Sequence, residues 1–272
     1  NNMYVATWSG LYMLREQKNQ SIGERSAYFE RWGPLPIVWD MLNVDGGLMV
    51  ATQDKGVFEI RDGRKNRIAD WGFTYDLQKS KRKGVIYGGT RIGLKGLLGK
   101  GRCWESFSIG GIKEEVRSIA AVGERVLWVS TIEGDVIRIL LSDNYLDSKN
   151  IIRYDHNNGL PEGYKEIGVN DGDMEIISNM GLFRIEDNNK EPKNWKFEKH
   201  SWMLPEVEGK DTLTVKSVEI QEGKIWVVLG NRVFVGGGNG RGIRYGSWRE
   251  VKPLHFPKSK STSLYVEADS TI

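Results

Sequence analysis

One phrase recurs six times along this chain of 272 residues: an apolar run, a Thr or small residue, a tight glycine turn and a second apolar run. The copies read Met3-Tyr-Val-Ala-Thr7 with Gly10-Leu11, Leu48-Met-Val-Ala-Thr52 with Gly56-Val57, and Ile86-Tyr-Gly-Gly-Thr90 with Gly93-Leu94. They continue as Leu127-Trp-Val-Ser-Thr131 with Gly134, Met174-Glu-Ile-Ile-Ser178 with Gly181-Leu182, and a degraded Ile225-Trp-Val-Val-Leu229 with Gly230 and Val233. Successive Thr-equivalent positions lie about 38 to 51 residues apart, the period of β-propeller blades of four strands each. A unit of that size cannot bury its apolar face alone, so the repeat imposes an all-β, side-by-side array before any propensity is counted.

The run before each glycine turn is rich in β-branched and aromatic residues, as a buried second strand requires. The glycine supplies the positive φ of a hairpin. The next run, as in Leu11-Tyr-Met-Leu, Val57-Phe-Glu-Ile and Leu182-Phe-Arg-Ile, returns antiparallel as a third strand. One aromatic per unit, Trp32, Trp71, Trp104, Tyr154, Trp195 and Trp248, is assigned to an outer strand. Innermost strands precede the second strands, for example Ser118-Ile-Ala-Ala-Val122 and Val215-Lys-Ser-Val-Glu-Ile220.

The first unit begins directly at its second strand, and the inner-strand pattern missing there is found in Ser263-Leu-Tyr-Val-Glu-Ala-Asp269. The expected architecture is therefore a single domain over 1–272, a six-bladed β-propeller of four-stranded antiparallel blades. In it the C-terminal strand pairs beside the Met3 strand, closes the ring and removes both sheet edges. A seven-bladed ring and a fragment of a longer array are the alternatives.

Composition narrows the functional classes. With 39% apolar residues and no uninterrupted apolar run near the length of a spanning helix, the chain reads as soluble. No basic-then-apolar leader opens it. Cys103 is the only cysteine, which excludes an internal disulfide and any multi-cysteine metal site. The 33 Gly are spread through turn positions and mark no linker.

The segment Asn157-Asn-Gly-Leu-Pro-Glu-Gly-Tyr164, followed by Ile167, Asp171-Gly172, Met174 and Ser178-Asn-Met-Gly-Leu182, resembles the two-component regulator propeller repeat. The likeness covers the whole chain as a pattern and this unit as a motif; elsewhere the motif Trp stands only at Trp128 and Trp226. In that family such repeats form periplasmic sensor propellers ahead of a membrane span and a histidine kinase. The resemblance implies a ligand-sensing or protein-interaction propeller in a periplasmic or extracellular setting, and names no ligand. A chain complete without a leader would instead be cytoplasmic.

Catalytic chemistry finds little support in the residues. His156, His200 and His255 fall in three different loops leading to inner strands, and a metal or catalytic centre would need them to converge with carboxylates. The acidic stretches Asp143–Asp147 and Asn170–Asp173 lack the ligand spacing of a calcium loop and read as Asx-type turns. Sialidase-type Asp boxes, a nucleophile elbow and a phosphate loop are absent. Cys103, beside Trp104 and flanked by Lys100 and Arg102, reads as a half-exposed structural cysteine. No cofactor and no metal are expected.

Binding chemistry has two candidate surfaces. Hairpins between second and third strands share one face of a propeller with the loops entering the inner strands. Those hairpins supply Trp8, Gln53, Asp54, Lys55, Arg91, Glu133, Asn179, Asn231 and Arg232, a mixed set suited to a specific polar ligand or a protein loop. Trp8, inside its hairpin turn, is the aromatic least suited to a core role. The second surface is basic. Between Arg61 and Arg102 there are twelve Lys or Arg against three Asp, whereas the whole chain carries only +3. Arg61, Arg64, Lys65, Arg67, Lys79, Lys81, Arg82 and Lys83 would steer an anionic partner or simply be solvated loop charges. The leading expectation is a non-enzymatic sensing or interaction propeller reading its partner at the hairpin mouth. A scaffold using the basic patch, and a propeller lyase or hydrolase, are the alternatives.

Overall fold

The computed structural model describes residues 4–18, 25–101, 103–170, 172–178, 180–187, 189–200, 215–221, 224–229, 232–237 and 248–251. Among them lie six antiparallel sheets, one of three strands and five of four. The first sheet holds β1 (Tyr4–Thr7), β2 (Gly10–Lys18) and β3 (Arg25–Arg31). The second holds β4 (Val38–Val44), β5 (Gly47–Thr52), β6 (Val57–Arg61) and β7 (Arg64–Ala69). The third holds β8 (Thr74–Lys79), β9 (Val85–Thr90), β10 (Gly93–Lys100) and β11 (Cys103–Ser108). The fourth is built from β12 (Val116–Val122), β13 (Val126–Thr131), β14 (Val136–Leu141) and β15 (Ser148–Tyr154). β16 (Glu166–Asn170), β17 (Asp173–Ser178), β18 (Gly181–Ile185) and β19 (Phe197–His200) form the fifth. The last comprises β20 (Val215–Gln221), β21 (Lys224–Leu229), β22 (Arg232–Gly237) and β23 (Arg249–Val251). In every sheet the strands follow one another in chain order.

The repeated Thr is a hairpin clip. The hydroxyls of Thr7, Thr52, Thr90 and Ser178 donate to the carbonyls of Gly10, Gly56, Gly93 and Gly181 at 2.9, 2.7, 2.8 and 3.2 Å. Each also accepts a turn N–H, from Ser9, Lys55, Ile92 and Met180. A short hydroxyl at the end of a buried strand thus satisfies backbone groups that would otherwise be desolvated. The repeated glycine has two reasons to be glycine. Gly56 adopts φ +73°, and a Cβ there would stand 2.1 Å from the Ala69 carbonyl oxygen, where the next connection crosses the hairpin.

The core sits between sheets. Ala6 and Leu11 pack on Val38, Met41 and Val50. Met49, Ala51 and Val57 meet Leu77, Ile86 and Leu97. Tyr87 and Leu94 meet Ile119, Val129 and Ile137, and Ala120, Trp128 and Tyr154 meet Ile167, Ile176 and Phe197. The first strands of sheets two to six are neighbours, with β4 against β8, β8 against β12, β12 against β16 and β16 against β20, while β1 packs on β4.

Of the aromatics expected in outer strands, Trp104 and Tyr154 are there, within β11 and β15. Trp32 and Trp71 fall just after β3 and β7, and Trp195 and Trp248 just before β19 and β23. The reason is packing across the seam: Trp71 covers Gly88 of β9, where a Cβ would stand 2.3 Å from its ring, and donates its indole N–H to the Ser106 hydroxyl at 2.7 Å. Trp128, Tyr154 and Trp195 stack with centroids 5.5 to 6.5 Å apart in the seam between the fourth and fifth sheets. Cys103 is exposed in β11. Residues 263–269, expected to clasp β1, and His255 lie outside the described residues.

Candidate functional site

Four of the five first strands from β4 onward carry the same irregularity. The pairing slips by one residue between Val38 and Asp40, Thr74 and Asp76, Val116 and Ser118, and Val215 and Ser217. A bulge of this kind turns one side chain out of the ladder. In the second, third and fourth sheets those side chains are Trp39, Tyr75 and Arg117, and they converge. The Trp39 and Tyr75 rings meet edge to face at 5.5 Å, and the Arg117 guanidinium lies 3.8 Å from the Tyr75 centroid and 5.9 Å from that of Trp39.

The residue after each bulge clamps the next sheet. Asp40 Oδ2 accepts the Leu77 N–H at 2.8 Å, Asp76 Oδ2 accepts the Ile119 N–H at 2.6 Å, and the Ser118 hydroxyl accepts the Ile167 N–H at 3.1 Å. β16 has no register slip. There Lys165, 2% exposed, is held by the carbonyls of Gly134 and Gly163. Burial pushes its ammonium below the usual lysine value.

Two residues singled out by sequence, Trp8 and Arg91, stand at the ends of one aromatic relay. Trp8 meets Trp39 at 5.8 Å, Trp39 meets Tyr75, Tyr75 meets Phe73 at 6.2 Å, and the Arg91 guanidinium lies 5.3 Å from the Phe73 centroid. Backbone bonds fix the frame, since the N–H groups of Gln53, Arg91 and Ile132 donate to the carbonyls of Ile37, Phe73 and Glu115. Arg117 is paired with Glu115 at 2.6 Å, and burial pushes the Tyr75 phenol up to about 12 against the opposing charge of Arg117. Asp54 and Lys55 pair loosely with each other at 3.8 Å, and Glu133 is exposed beside Ile132. Asn179 and Asn231 lie outside the described residues, and Arg232 is described only as the start of β22.

Sequence reasoning passed over Trp39, Phe73, Tyr75, Glu115 and Arg117. A signal existed in the alignment of Val38-Trp-Asp-Met41, Thr74-Tyr-Asp-Leu77, Val116-Arg-Ser-Ile119 and Val215-Lys-Ser-Val218, in which the variable second position is the bulge.

Most of the basic residues lie at one end of the sheets. Arg61 and Arg64 flank the β6–β7 turn, and Lys79, Lys81, Arg82 and Lys83 sit at the β8–β9 turn, both at the sheet ends opposite the hairpins. Arg67 instead reaches the hairpin end, where it donates to the Lys55 carbonyl at 2.8 Å. Arg61 pairs with Glu59, Lys65 donates to the Pro34 carbonyl, and Arg82 donates to the Asn144 carbonyl. His156 is exposed, and among the described residues no group of three His, Cys, Asp or Glu is placed to hold a metal ion. No described helix is long and apolar enough to cross a membrane.

No family model matches the chain, and no curated protein matches it. Solved structures do. The extracellular domain of the putative hybrid two component system BT3049 from B. thetaiotaomicron matches with a TM-score of 0.59 at 15% identity, over 86% of this chain and 31% of that one. The corresponding domain of BT4673 from the same organism matches with a TM-score of 0.56 at 19% identity, over 76% of this chain and 27% of that one. Virginiamycin B lyase from Staphylococcus aureus matches with a TM-score of 0.56 at 14% identity, over 93% of this chain and 78% of that one. The chain thus spans under a third of the two sensor ectodomains, and at these identities the likeness carries the fold: an all-β array of propeller type, similar to the extracellular domains of two-component systems.

Proposed function

We propose that the protein is a recognition propeller, a ligand-sensing or protein-interaction module that reads its partner at the hairpin end of its sheets. The observation that carries this is where apolar surface is left exposed. Of the six large apolar residues exposed among those described, Trp8, Ile92, Ile132 and Met180 sit in hairpins and Tyr164 in the loop entering β16; only Tyr28 lies elsewhere. Side chains of this kind concentrated on one end of a molecule mark a contact surface. The aromatic relay from Trp8 to Arg91 runs beneath it. The fold shared with extracellular sensor domains supports the same reading. Within it, six blades closed by residues 263–269 against β1 give the mouth a fixed rim.

The test is a thermal-shift screen of small polar compounds and short peptides, followed by titration of each hit against Trp8→Ala and Arg91→Ala. Hits weakened at least about tenfold by either substitution, a loss of roughly 1.4 kcal/mol, support the mouth. Hits indifferent to both but abolished by salt and by loss of Lys79, Lys81 and Lys83 transfer recognition to the opposite end.

A further inference from the structure

The end of the sheets opposite the hairpins carries charge that recognition does not use. Between Asp76 and Glu105 the sequence holds eight Lys or Arg and no Asp or Glu, and this stretch makes up most of the third sheet. The turn from β8 to β9 concentrates four of them, Lys79, Lys81, Arg82 and Lys83, all exposed. Its backbone is fixed. The Ser80 N–H donates to the Val85 carbonyl at 2.9 Å, the Arg82 N–H to the Ser80 hydroxyl at 3.1 Å, and the Gly99 N–H to the Gly84 carbonyl at 2.7 Å. The Arg82 guanidinium is tied to the Asn144 carbonyl of the β14–β15 turn, a bond that neutralises no charge, and Lys81 and Lys83 flank it. The acids near this end are matched by other cations. Asp45 and Asp62 lie close to Arg61, which pairs with Glu59, while Glu105 pairs with Lys100 and Asp143 with Arg125. Among the described residues no carboxylate is paired with Arg64, Lys79, Lys81 or Lys83.

We propose that this end docks on an anionic lipid bilayer, held by diffuse attraction to the headgroups and without insertion, so that the hairpin end faces away from the membrane. Three features favour a planar partner over a linear one. The charges are spread over a surface: Arg64 stands at the outer turn of the second sheet, the four cations of the β8–β9 turn stand where neighbouring sheets meet, and β8 is separated from β11 by about 14 Å of sheet. The unpaired cations are mostly Lys, a compact hydrated point charge suited to headgroups of no fixed geometry, whereas nucleic acids are read with Arg forks and stacking aromatics. No large apolar residue is exposed at this end among those described, since the six that are exposed lie in hairpins, in the loop entering β16 or within β3. The contact is therefore electrostatic, and each cation near an anionic surface strengthens it about fivefold. The inference goes beyond the recognition face and takes only its orientation from it.

The test is cosedimentation of the full chain with lipid vesicles. Vesicles of phosphatidylcholine and phosphatidylserine at about two to one should retain the protein in low salt and release it by about 0.5 M salt, and vesicles of phosphatidylcholine alone should not retain it. Lys79→Gln, Lys81→Gln and Lys83→Gln together should weaken retention at least about thirtyfold. Lys95→Gln, Lys113→Gln and Lys199→Gln remove the same charge nearer the hairpin end and should change it less than about threefold. Should the first triple variant melt early, Lys81→Gln with Lys83→Gln takes its place, with a loss of at least about tenfold. No retention on anionic vesicles, equal retention on both kinds, or equal losses in the two triple variants overturns the proposal. Duplex DNA bound through the same lysines more tightly than the vesicles, per anionic charge, also overturns it and assigns the surface to a linear polyanion. No ligand of the hairpin face enters the experiment, so the two readings fail separately: hits indifferent to Trp8→Ala and Arg91→Ala refute the recognition face alone, and vesicles that do not retain the protein refute membrane docking alone.

Discussion

The Arg117 guanidinium lies 3.8 Å from the centroid of the Tyr75 ring, across the seam between two sheets. Contacts of this type contribute about 0.5 to 2 kcal/mol, the larger figure where water is excluded. Here the contact also sets a direction. Two bulges one sheet apart turn their side chains toward each other, and with Trp39 they support an exposed indole, Trp8, on the hairpin end. The backbone irregularity is thereby the structural origin of the candidate site.

The Thr clip should be measurable. Thr52→Val removes the hydroxyl bond to the Gly56 carbonyl, but the Thr52 backbone N–H still donates to that carbonyl at 3.0 Å, so no buried acceptor is orphaned. The expected cost is about 1 kcal/mol, read as a fall in Tm of about 2 to 4 °C.

Gly56 and Gly63 share a left-handed backbone, at φ +73° and +71°, and differ in surroundings: Gly56 faces the Ala69 carbonyl, whereas nothing lies within 4 Å of a Cβ at Gly63. Gly63→Ala should therefore cost about 1 to 2 kcal/mol from conformation alone. Gly56→Ala should exceed that by several kcal/mol or prevent folding, and equal urea midpoints for the two would refute the crowding argument.

Acid stability should depend on Glu114. Burial opposes its ionisation, but the backbone N–H groups of Glu114 and Lys113 and the Arg153 guanidinium at 2.9 Å outweigh it and hold the carboxyl below the usual range. A carboxyl lowered in the folded state contributes stability above its unfolded value, and that contribution is lost as pH falls through the folded one. Arg153→Met should shrink the drop in Tm between about pH 5 and about pH 3, and an unchanged drop would remove Glu114 from the account.

The proposed closure of the ring has a direct test. Removing residues 263–272 should lower Tm and promote aggregation, because β1 would keep an unpaired edge. Unchanged melting and solubility would show that the first sheet is complete without them.

Much of the architecture was legible because it is local. A Thr and a glycine a few residues apart specify a hairpin wherever they occur, and the same offsets placed β5 and β6, β9 and β10, and β17 and β18. Trp8 was legible for the same reason, as a large aromatic inside a turn. The outer aromatics were less so. Trp71 and Trp195 are set by the sheet they cover rather than the strand they follow, and a period read along one chain does not show which side of a seam a ring will fill.

What the sequence by itself determined is the repeat: all-β units, their hairpins and the end of the sheets on which the hairpins lie. Only the tertiary structure decided which side chains meet there. The bonds from Leu77 to Asp40, Ile119 to Asp76 and Ile167 to Ser118 join residues 37, 43 and 49 positions apart. A one-residue slip in pairing chose Trp39, Tyr75 and Arg117 over their neighbours. Register between strands is a property of packing, since moving one residue exchanges the faces of a strand, and local preference carries no record of which sheet stands alongside.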